Sequence, residues 1–410
     1  MLMIKARPLS RLLLFGLCFS LAENSLANSG PAQSFISAHA DSSIAAAANP
    51  AGLARLERPE LLGQVLYFSS ESTFRTDDDS FRPNRSSESD GSMAVPSLFY
   101  ARPFSDQLVF GTSVTVPGGF GEDFDDDAPS RYLVDEWATG YVSIAPALAY
   151  RVNEKLSWAA GITANYSVLT YESAVFNGAG SSDGRMELEA DAWAFGFQLG
   201  LLYEMSTKTR FGVGYRSKIE PELDDKPDFS NLSASRRTQL DNAGVLDQSI
   251  EIDMAFPAIM TAGVWHEFDS GLELAWDLIW IDFSEFGLSQ ITVGETSIER
   301  DSEQFQDGYG SSVGVAYPVN DKWRIKAGAL YLSEMTDEDR TFMLRLDRIW
   351  GVGAGVEYTF NNRWIAGVNL NYYDLGEAPT EQNIPVLGTV AGEYTDNKAI
   401  GIDFTLRWMR

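Results

Sequence analysis

Few side chains in this chain of 410 residues could carry out chemistry. His39 and His266 are the only histidines, and the only cysteine, Cys18, falls in an N-terminal segment that we expect to be removed. A Ser–His catalytic pair needs a histidine at an exposed rim of the fold, and neither predicted position offers one. The sequence contains no Gly-x-Ser-x-Gly elbow, metal-ligand cluster or phosphate loop. We therefore predict no catalytic residue, no cofactor, no metal site and no enzyme activity.

A different signal comes from residues that shape the backbone. The alternating run Val109–Val116 is followed by Pro117, Gly118 and Gly119. Proline cannot donate to a strand ladder, and glycine permits a bulge or a sharp bend. This triplet predicts either a bend inside a strand or the end of that strand before a loop.

Segments of alternating hydrophobicity recur from residue 61 to the C-terminus. In Trp193–Tyr203 every odd position is large and apolar, and Trp350–Phe360 and Ile400–Trp408 show the same period of two. Side chains of a strand alternate between its faces, so each segment has one apolar face. Aromatic residues gather at strand ends, as in the girdles of a membrane barrel. We predict fourteen strands near residues 61–70, 93–103, 107–116, 140–151, 156–170, 190–204, 208–219, 248–266, 271–283, 307–318, 323–332, 347–360, 363–374 and 395–409.

The connections between these strands alternate in length. Tight turns rich in Asn, Asp and Ser are separated by long polar segments such as 71–92, 117–139 and 220–247. Short periplasmic turns opposite long outer loops are typical of a transmembrane barrel. The fold prediction is therefore all-β: a 14-stranded antiparallel transmembrane β-barrel, located in the outer membrane of a Gram-negative bacterium.

The first 27 residues have the three-part pattern of a secretory signal peptide. Three basic residues precede the apolar run Leu12–Leu21, and small residues precede the expected cleavage point after Ala27. The apolar run is too short to cross a bilayer as a helix, which needs about 20 residues. We expect the mature protein to begin near residue 28.

Residues 28–60 do not alternate like a strand. Their Ala/Ser-rich part suggests short helices, and Asn49-Pro50 can begin a further turn because asparagine caps helices and proline fits a first turn. A segment of this length before the first strand is either a plug in the lumen or a flexible periplasmic tail. Its small apolar residues favour the plug, so we predict a plug at 28–60 and a barrel at 61–410, with a small helical element inside the barrel.

The mature chain is strongly acidic. Without the three basic residues and Glu23 of the signal segment, 28 basic and 57 acidic residues remain, a net charge near −29. This balance argues against nucleic acid as a partner. Two acidic runs, Asp77–Asp79 and Glu122–Asp127, fall in predicted outer loops, where they either bind divalent cations beside lipopolysaccharide or are solvated surface. Apolar residues lie before, within and after the second run and could capture a hydrophobic ligand: Phe120, Phe124 and Trp137.

Along essentially its whole mature length the sequence resembles the FadL/TodX family of outer-membrane transporters of long-chain fatty acids and hydrocarbons. Ala47–Leu53 (AANPAGL) resembles the Asn-Pro-Ala motif that ends the family's N-terminal hatch. Val95–Leu108 resembles its second strand and first periplasmic turn, and Trp193–Ser217 resembles its sixth and seventh strands. Asp307–Arg324 is similar to its tenth and eleventh strands.

The resemblance implies passive transport without an energy source or a chemical conversion. A hydrophobic small molecule would be captured among the outer loops, enter the upper barrel and diffuse sideways into the bilayer through a wall opening. We expect the barrel to be a monomer and to be surrounded by outer-membrane lipid and lipopolysaccharide. The residues that the resemblance assigns are the hatch motif Asn49, Pro50 and Ala51, and the kink of the third strand at Pro117, Gly118 and Gly119.

The sequence departs from the family pattern in two places. Relatives that carry fatty acids hold the carboxylate with basic groups on the inner wall, yet residues 156–184 and 270–299 contain no Lys or Arg. The chain also ends in Trp408-Met-Arg instead of an aromatic residue. A neutral hydrocarbon is therefore an alternative ligand, and a diffusion porin or a structural or adhesive barrel is an alternative function. Four other basic residues point inward by parity and could bind a carboxylate: Arg210, Arg216, Arg324 and Lys326.

Overall fold

The computed structural model describes Ala32 and residues 37–78, 80, 85–124, 128, 130–293, 296–299, 305–336, 347–384 and 388–410. The predicted signal peptide, residues 1–27, lies outside this part of the chain. So do Asp79 and residues 125–127 of the two acidic runs. Nowhere in these described ranges is a helix both long enough and apolar enough to span a membrane.

Fourteen antiparallel strands form a closed barrel, as predicted from the alternation of the sequence. Each strand pairs with the next along the chain, and the last strand pairs back to the first from Glu60↔Met409 to Thr76↔Gly392. The pairing of the last strand with the first closes the sheet, so neither terminal strand presents a free edge to the membrane. The strands are β1 (Glu60–Thr76), β2 (Ser86–Pro103), β3 (Leu108–Asp123), β4 (Glu136–Arg151), β5 (Leu156–Val175), β6 (Gly184–Ser206), β7 (Thr209–Arg216), β8 (Ile259–Glu267), β9 (Glu273–Ile281), β10 (Gly308–Pro318), β11 (Trp323–Leu332), β12 (Ile349–Asn361), β13 (Trp364–Asp374) and β14 (Gly388–Met409).

The outer wall is apolar, and the inner face of β6 beside Phe195 carries small or polar side chains. In β6, Phe195 is 74% exposed on the outer face, whereas its neighbour Ala194 and the nearby Gln198 are buried towards the lumen. Trp193 and Tyr203 stand exposed near the middle and the periplasmic end of the same strand. The side chains alternate in this way because the outer face of the strand contacts lipid and the inner face contacts the packed lumen.

The predicted eighth strand, 248–266, is wrong because Pro257 divides it. Proline has no N–H for the ladder, and at this point the chain leaves one sheet for another. Ile250–Ala255 joins a small loop sheet with Glu222–Asp225 and Gly287–Val293, and the last of these also pairs with Thr296–Glu299. The barrel strand itself begins only at Ile259.

Loops predicted between strands are in part continuations of the strands. The predicted loop 117–139 contains the end of β3 and the start of β4, which pair as far as Asp123↔Glu136. Other loop elements are the strands Asp228–Ser230 and Ala378–Ile384, the α-helix Ala234–Asn242 and the 3₁₀ helix Phe283–Glu285.

Two 3₁₀ helices of the N-terminal segment lie inside the barrel. They span Ser43–Ala46 and Pro50–Arg55. Leu53 is fully buried and packs with residues of the surrounding wall: Ala101, Val109, Ala149, Ala159 and Leu202. We call the described part of this segment, residues 37–59, the hatch.

Candidate functional site

Asn49 fixes the hatch at the centre of its motif. Its side chain accepts a hydrogen bond from the Ala51 amide at 3.2 Å, which caps the helix that Pro50 begins. Its Nδ2 group donates to the carbonyl oxygens of Ser37 at 2.7 Å and Leu201 at 3.0 Å. Asparagine is suited to this place because a single amide both accepts and donates. Asn49 therefore joins two parts of the hatch to the wall strand β6.

Three glycines of the wall make room for the hatch backbone. A Cβ at Gly200 would lie 2.6 Å from the Ala51 amide nitrogen, and one at Gly214 would lie 2.5 Å from the Ala48 carbonyl oxygen. A Cβ at Gly212 would overlap the Ser37 carbonyl. Contacts this short displace backbone instead of a flexible side chain. The hatch can sit this close to β6 and β7 only because these positions carry no side chain.

A group of buried charges holds the other side of the hatch. His39 contacts Asp41 through Nδ1 at 3.1 Å and Glu273 of β9 through Nε2 at 3.0 Å. Arg324 of β11 contacts the same Glu273 carboxylate at 2.6 Å. Arg407 of β14 donates to the Asp41 carbonyl oxygen at 2.9 Å. Buried charges are stable when they are paired and hydrogen-bonded, so this group ties the hatch to three strands that are remote in sequence.

The two titratable hatch residues in this group have shifted pKa values. Burial alone would lower the pKa of His39, but the charge of Asp41 and hydrogen bonds to Asp41 and Glu273 raise it above its ordinary value. Burial would raise the pKa of Asp41, but His39, Arg407 and Arg324 bring it well below its usual range. Both shifts favour the charged forms. Asp41 keeps 39% of its side-chain surface exposed, so solvent screens its share of the interaction.

The barrel wall is incomplete between β2 and β3. These strands pair over six residue pairs only, from Pro103↔Val109 to Leu98↔Val114. Beyond Leu98, β2 still pairs with β1, and beyond Val114, β3 still pairs with β4. Over that stretch the described residues of β2 and β3 form no ladder with each other. Backbone left unpaired in a membrane wall is tolerated only where it lines a cavity.

The opening coincides with a β-bulge at the Pro-Gly-Gly triplet. Thr115 pairs with Ser143, but the next pair is Gly118 with Tyr141, so β3 contains one residue more than β4 between these pairs. Pro117, Gly118 and Gly119 are all buried, and the strand continues beyond them to Asp123. The bulge turns β3 away from β2.

Two aromatic rings cover this bulge on its inner side. The ring of Tyr141 lies over Gly118, where a Cβ would come within 2.7 Å of the ring. Phe256 packs on Tyr141 with 4.6 Å between ring centroids. Phe256 lies just before Pro257, after the last residue of the loop strand Ile250–Ala255. The aromatic pair therefore packs against β3 at the point where its pairing with β2 has ended.

Above the pair, apolar side chains fill the upper lumen. Phe256 continues into a set of packed rings, Phe283, Phe286 and Phe305. The predicted capture residues Phe124 and Trp137 are buried in the same cluster, and Phe120 lies in β3, in the stretch past the bulge. The structure thus places Phe124 and Trp137 on the interior of the upper barrel, although the sequence suggested an outer loop.

The four predicted lumen cations differ in their partners. Arg324 pairs with Glu273 and Glu357, and Lys326 pairs with Glu357 at 2.8 Å. Arg210 stacks over the ring of Trp265 at 3.5 Å. Among the described residues no carboxylate forms an ion pair with Arg216, which donates to the Ala47 carbonyl oxygen at 3.3 Å. Three of the cations thus have a carboxylate or an aromatic ring as partner, and the partner that the described residues give Arg216 is a neutral carbonyl.

An apolar groove marks the outer face of the wall next to the opening. It has a volume of about 540 Å³ and includes Leu98 and Val114, the last pair between β2 and β3. Gly63 forms its floor by the absence of a side chain. The remaining apolar lining comes from β1, β2 and β14: Val65, Pro96, Phe404 and Leu406. The groove faces lipid, because these side chains lie on the outer surface.

Sequence reasoning missed the residues that connect these features. His39 was considered only as a catalytic group, and Tyr141 and Phe256 were not singled out. One usable signal was Pro257 inside a predicted strand, since proline in a central strand argues against that assignment. Tyr141 gave no local signal, because its role depends on its pairing with Gly118.

A closed barrel with an apolar outer wall and a seated hatch defines the class of plugged outer-membrane transport barrels. The family model described as Outer membrane protein transport protein (OMPP1/FadL/TodX) matches residues 15–404, and the chain belongs to this family. The protein is therefore an outer-membrane transport protein, and the predicted resemblance and location are confirmed.

Individual relatives are distant but nearly full length. The chain is 23% identical over 395 residues to the long-chain fatty acid transport protein of Escherichia coli (strain K12), covering 86% of this chain and 87% of the relative. It is 25% identical over 368 residues to the 47 kDa outer membrane protein of Pasteurella multocida (strain Pm70), covering 84% of each.

Solved structures share the fold. A Pseudomonas aeruginosa FadL homologue superposes with a TM-score of 0.81 at 17% identity, covering 96% of this chain and 99% of that one. The Pseudomonas putida toluene transporter TodX gives a TM-score of 0.68 at 14% identity, with the same coverage. At these identities the likeness concerns the architecture only.

Proposed function

We propose that this protein carries hydrophobic compounds, long-chain fatty acids or hydrocarbons, passively into the outer membrane. Ligands enter among the outer loops, pass into the apolar upper lumen and leave sideways between β2 and β3. The observation that carries the proposal is the loss of β2–β3 pairing beyond Leu98↔Val114, at the bulge around Pro117. The relatives named as fatty acid and toluene transporters support the substrate class.

The residues around the opening are suited to an apolar path. Packed aromatic rings line the inner approach and the apolar groove lines the outer side, so a hydrophobic ligand stays out of water throughout. Burial of apolar surface stabilises such a ligand by about 25 cal/mol per Å². In this proposal the capture residues Phe120, Phe124 and Trp137 admit the ligand. We further propose that the barrel works as a monomer surrounded by lipid and lipopolysaccharide.

A disulfide across the opening tests this route. If the β2–β3 register continued, Ser97 would face Thr115, and the Ser97→Cys/Thr115→Cys pair could then close the gap. The chain has no other cysteine apart from Cys18 in the predicted signal peptide. We expect oxidation to abolish uptake of radiolabelled oleate and hexadecane by a transport-deficient Gram-negative host, and a reductant to restore it.

The matched control is a disulfide where the strands already pair. Tyr100→Cys/Thr112→Cys joins partners of the existing ladder and should leave uptake unchanged under oxidation. If the oxidised Ser97→Cys/Thr115→Cys variant takes up oleate and hexadecane as fast as the reduced variant, the lateral route is ruled out. Entry of small sugars and ions in place of oleate and hexadecane would favour the porin alternative.

A further inference from the structure

We propose that Arg210 holds a small monovalent anion, a halide such as chloride, between the hatch and the wall. Arg210 is the second residue of β7, near the periplasmic end of the barrel, and only 3% of its surface is exposed. The anion acts there as the counter-ion of a buried guanidinium group. The site is separate from the upper lumen and from the wall opening, so it does not depend on the lateral route.

The guanidinium group of Arg210 has an aromatic partner but no acceptor. No described residue gives it a hydrogen bond or an ion pair, and its Nε group is buried without a partner. The group lies over the ring of Trp265, 3.5 Å from the ring centroid. A guanidinium on a ring still presents its N–H donors around its edge. Because a buried charge is costly unless it is paired and hydrogen-bonded, this edge requires an acceptor with a negative charge.

The carboxylates around Arg210 are paired with other cations. Glu204 lies directly opposite Arg210 in the β6–β7 ladder, but it forms its ion pair with Arg55 of the hatch. Glu273 accepts a hydrogen bond from the Trp265 indole at 3.1 Å, but its ion pairs are with the histidine of the hatch and an arginine of β11. The hatch thus takes up these carboxylates, and Arg210 is left to an anion from outside the chain.

The hatch encloses this site. Ala38 is buried in one cluster with Trp265, and the Ser37 carbonyl lies over Gly212, two positions beyond Arg210 on the same face of β7. The Ser37 hydroxyl is also buried without a partner among the described residues, so it is a second donor that needs an acceptor on this side of the hatch. Such burial excludes a ligand with a long chain, whereas a halide ion needs only about the volume of one water molecule.

The surrounding charges limit the anion to a single negative charge. Arg210 supplies one positive charge, and the carboxylates of Glu204 and Glu273 would repel a divalent anion such as sulfate or phosphate. The tight turn at residues 207–208 immediately precedes β7, so salt of the periplasm reaches the site from that end when the hatch loosens. Chloride meets these conditions because it is small and monovalent.

Protection of the hatch by chloride tests the site. Protease digests the hatch of the purified mature protein while gluconate is exchanged for chloride at constant ionic strength. Because the anion must leave before the hatch opens, digestion should slow about tenfold for each tenfold rise in chloride above its Kd. Bromide should protect in the same way, and crystals soaked in bromide should show its anomalous scattering beside Arg210.

Arg210→Met separates an anion site from a merely structural role. Replacing a buried charge by an apolar side chain of similar volume is often neutral or stabilising. We therefore expect this variant to resist protease at low chloride at least as well as the parent, and to gain nothing from added chloride. Arg210→Lys keeps the charge without the planar fork of donors and should need more chloride for the same protection. Arg237→Gln, which changes an exposed arginine of the outer helix, is the control and should respond to chloride like the parent.

Three results would overturn the halide site. Digestion of the parent that does not depend on chloride is one, and chloride protection of Arg210→Met equal to that of the parent is another. The third is protection by acetate but not by chloride or bromide, which would assign the site to a carboxylate. Heat-dependent mobility in gel electrophoresis confirms that each variant is a folded barrel, and the bromide measurement on the parent needs no variant. Uptake of oleate is not among the readouts, so a failure of the lateral route would leave the site intact.

Discussion

The hatch histidine has a pH dependence that can be measured. The folded pKa of His39 lies above its ordinary value of 6.5. Its contribution to hatch docking is therefore fully present below about pH 6.5 and is lost as pH rises through the folded pKa. We expect the hatch to resist protease better at mildly acidic than at alkaline pH. His39→Gln should remove this dependence and weaken docking by roughly 1.5–3 kcal/mol, the size of one charge-assisted hydrogen bond.

The groups that face His39 are the ones that set this behaviour: Asp41, Glu273, Arg324 and Trp265. An unchanged pH dependence in His39→Gln would assign the effect to another group. None of these partners could be foreseen, since Glu273 is 234 positions from His39 and a single sequence contains no pairing information at that distance. Strand alternation predicted that Arg216 and Arg324 point inward. It could not predict which of the two has a carboxylate partner, because that depends on which residues meet in the folded lumen.

At the scale of the element, the glycines of β6 and β7 predict how tightly the hatch is seated. Gly212→Ala places a methyl group on the Ser37 carbonyl and should push the hatch out of its seat, with a cost of roughly 1–3 kcal/mol typical of overpacking. The readout is faster proteolysis of the hatch while the barrel keeps its heat-dependent gel mobility.

Gly63→Ala is the matched control for this change. A Cβ at Gly63 meets nothing within 4 Å, so the hatch of this variant should resist protease like the parent. Equal proteolysis of Gly212→Ala and Gly63→Ala would show that close contact with β7 does not hold the hatch.

The sequence predicted a strand correctly where the same physical constraint acts on every residue of that strand. Lipid on one face and a packed lumen on the other impose the period of two that located the barrel strands, and tight periplasmic turns separated them. The loop sheet around Ile250–Ala255 was not predictable as such, because its strands pair with partners from other loops. The upper part of β3 was missed because glycines and acidic residues conceal alternation there.

For the whole molecule, the hatch decides whether the barrel conducts ions. Leu53 of the hatch packs in a buried cluster with side chains from five wall strands, so little open lumen remains at its level. Removal of residues 28–55 from the mature chain should raise ion conductance in a planar bilayer on the order of tenfold or more, since wide unplugged barrels are aqueous channels. Equal conductance with and without the hatch would mean that the full-length protein is already a porin.

The place of the wall opening also has a thermodynamic consequence. The six paired positions of β2 and β3 rise about 13 Å along the barrel axis, given about 3.4 Å per residue and a tilt near 40°. That is about half of a hydrocarbon layer roughly 30 Å thick. On the proposed lateral route, a ligand leaving above this stretch would dissolve among acyl chains, and the membrane would act as an oil reservoir in contact with the outside. Without an energy source, filling stops when the chemical potentials inside and outside that reservoir are equal, so sustained import is set by whatever consumes the ligand further in.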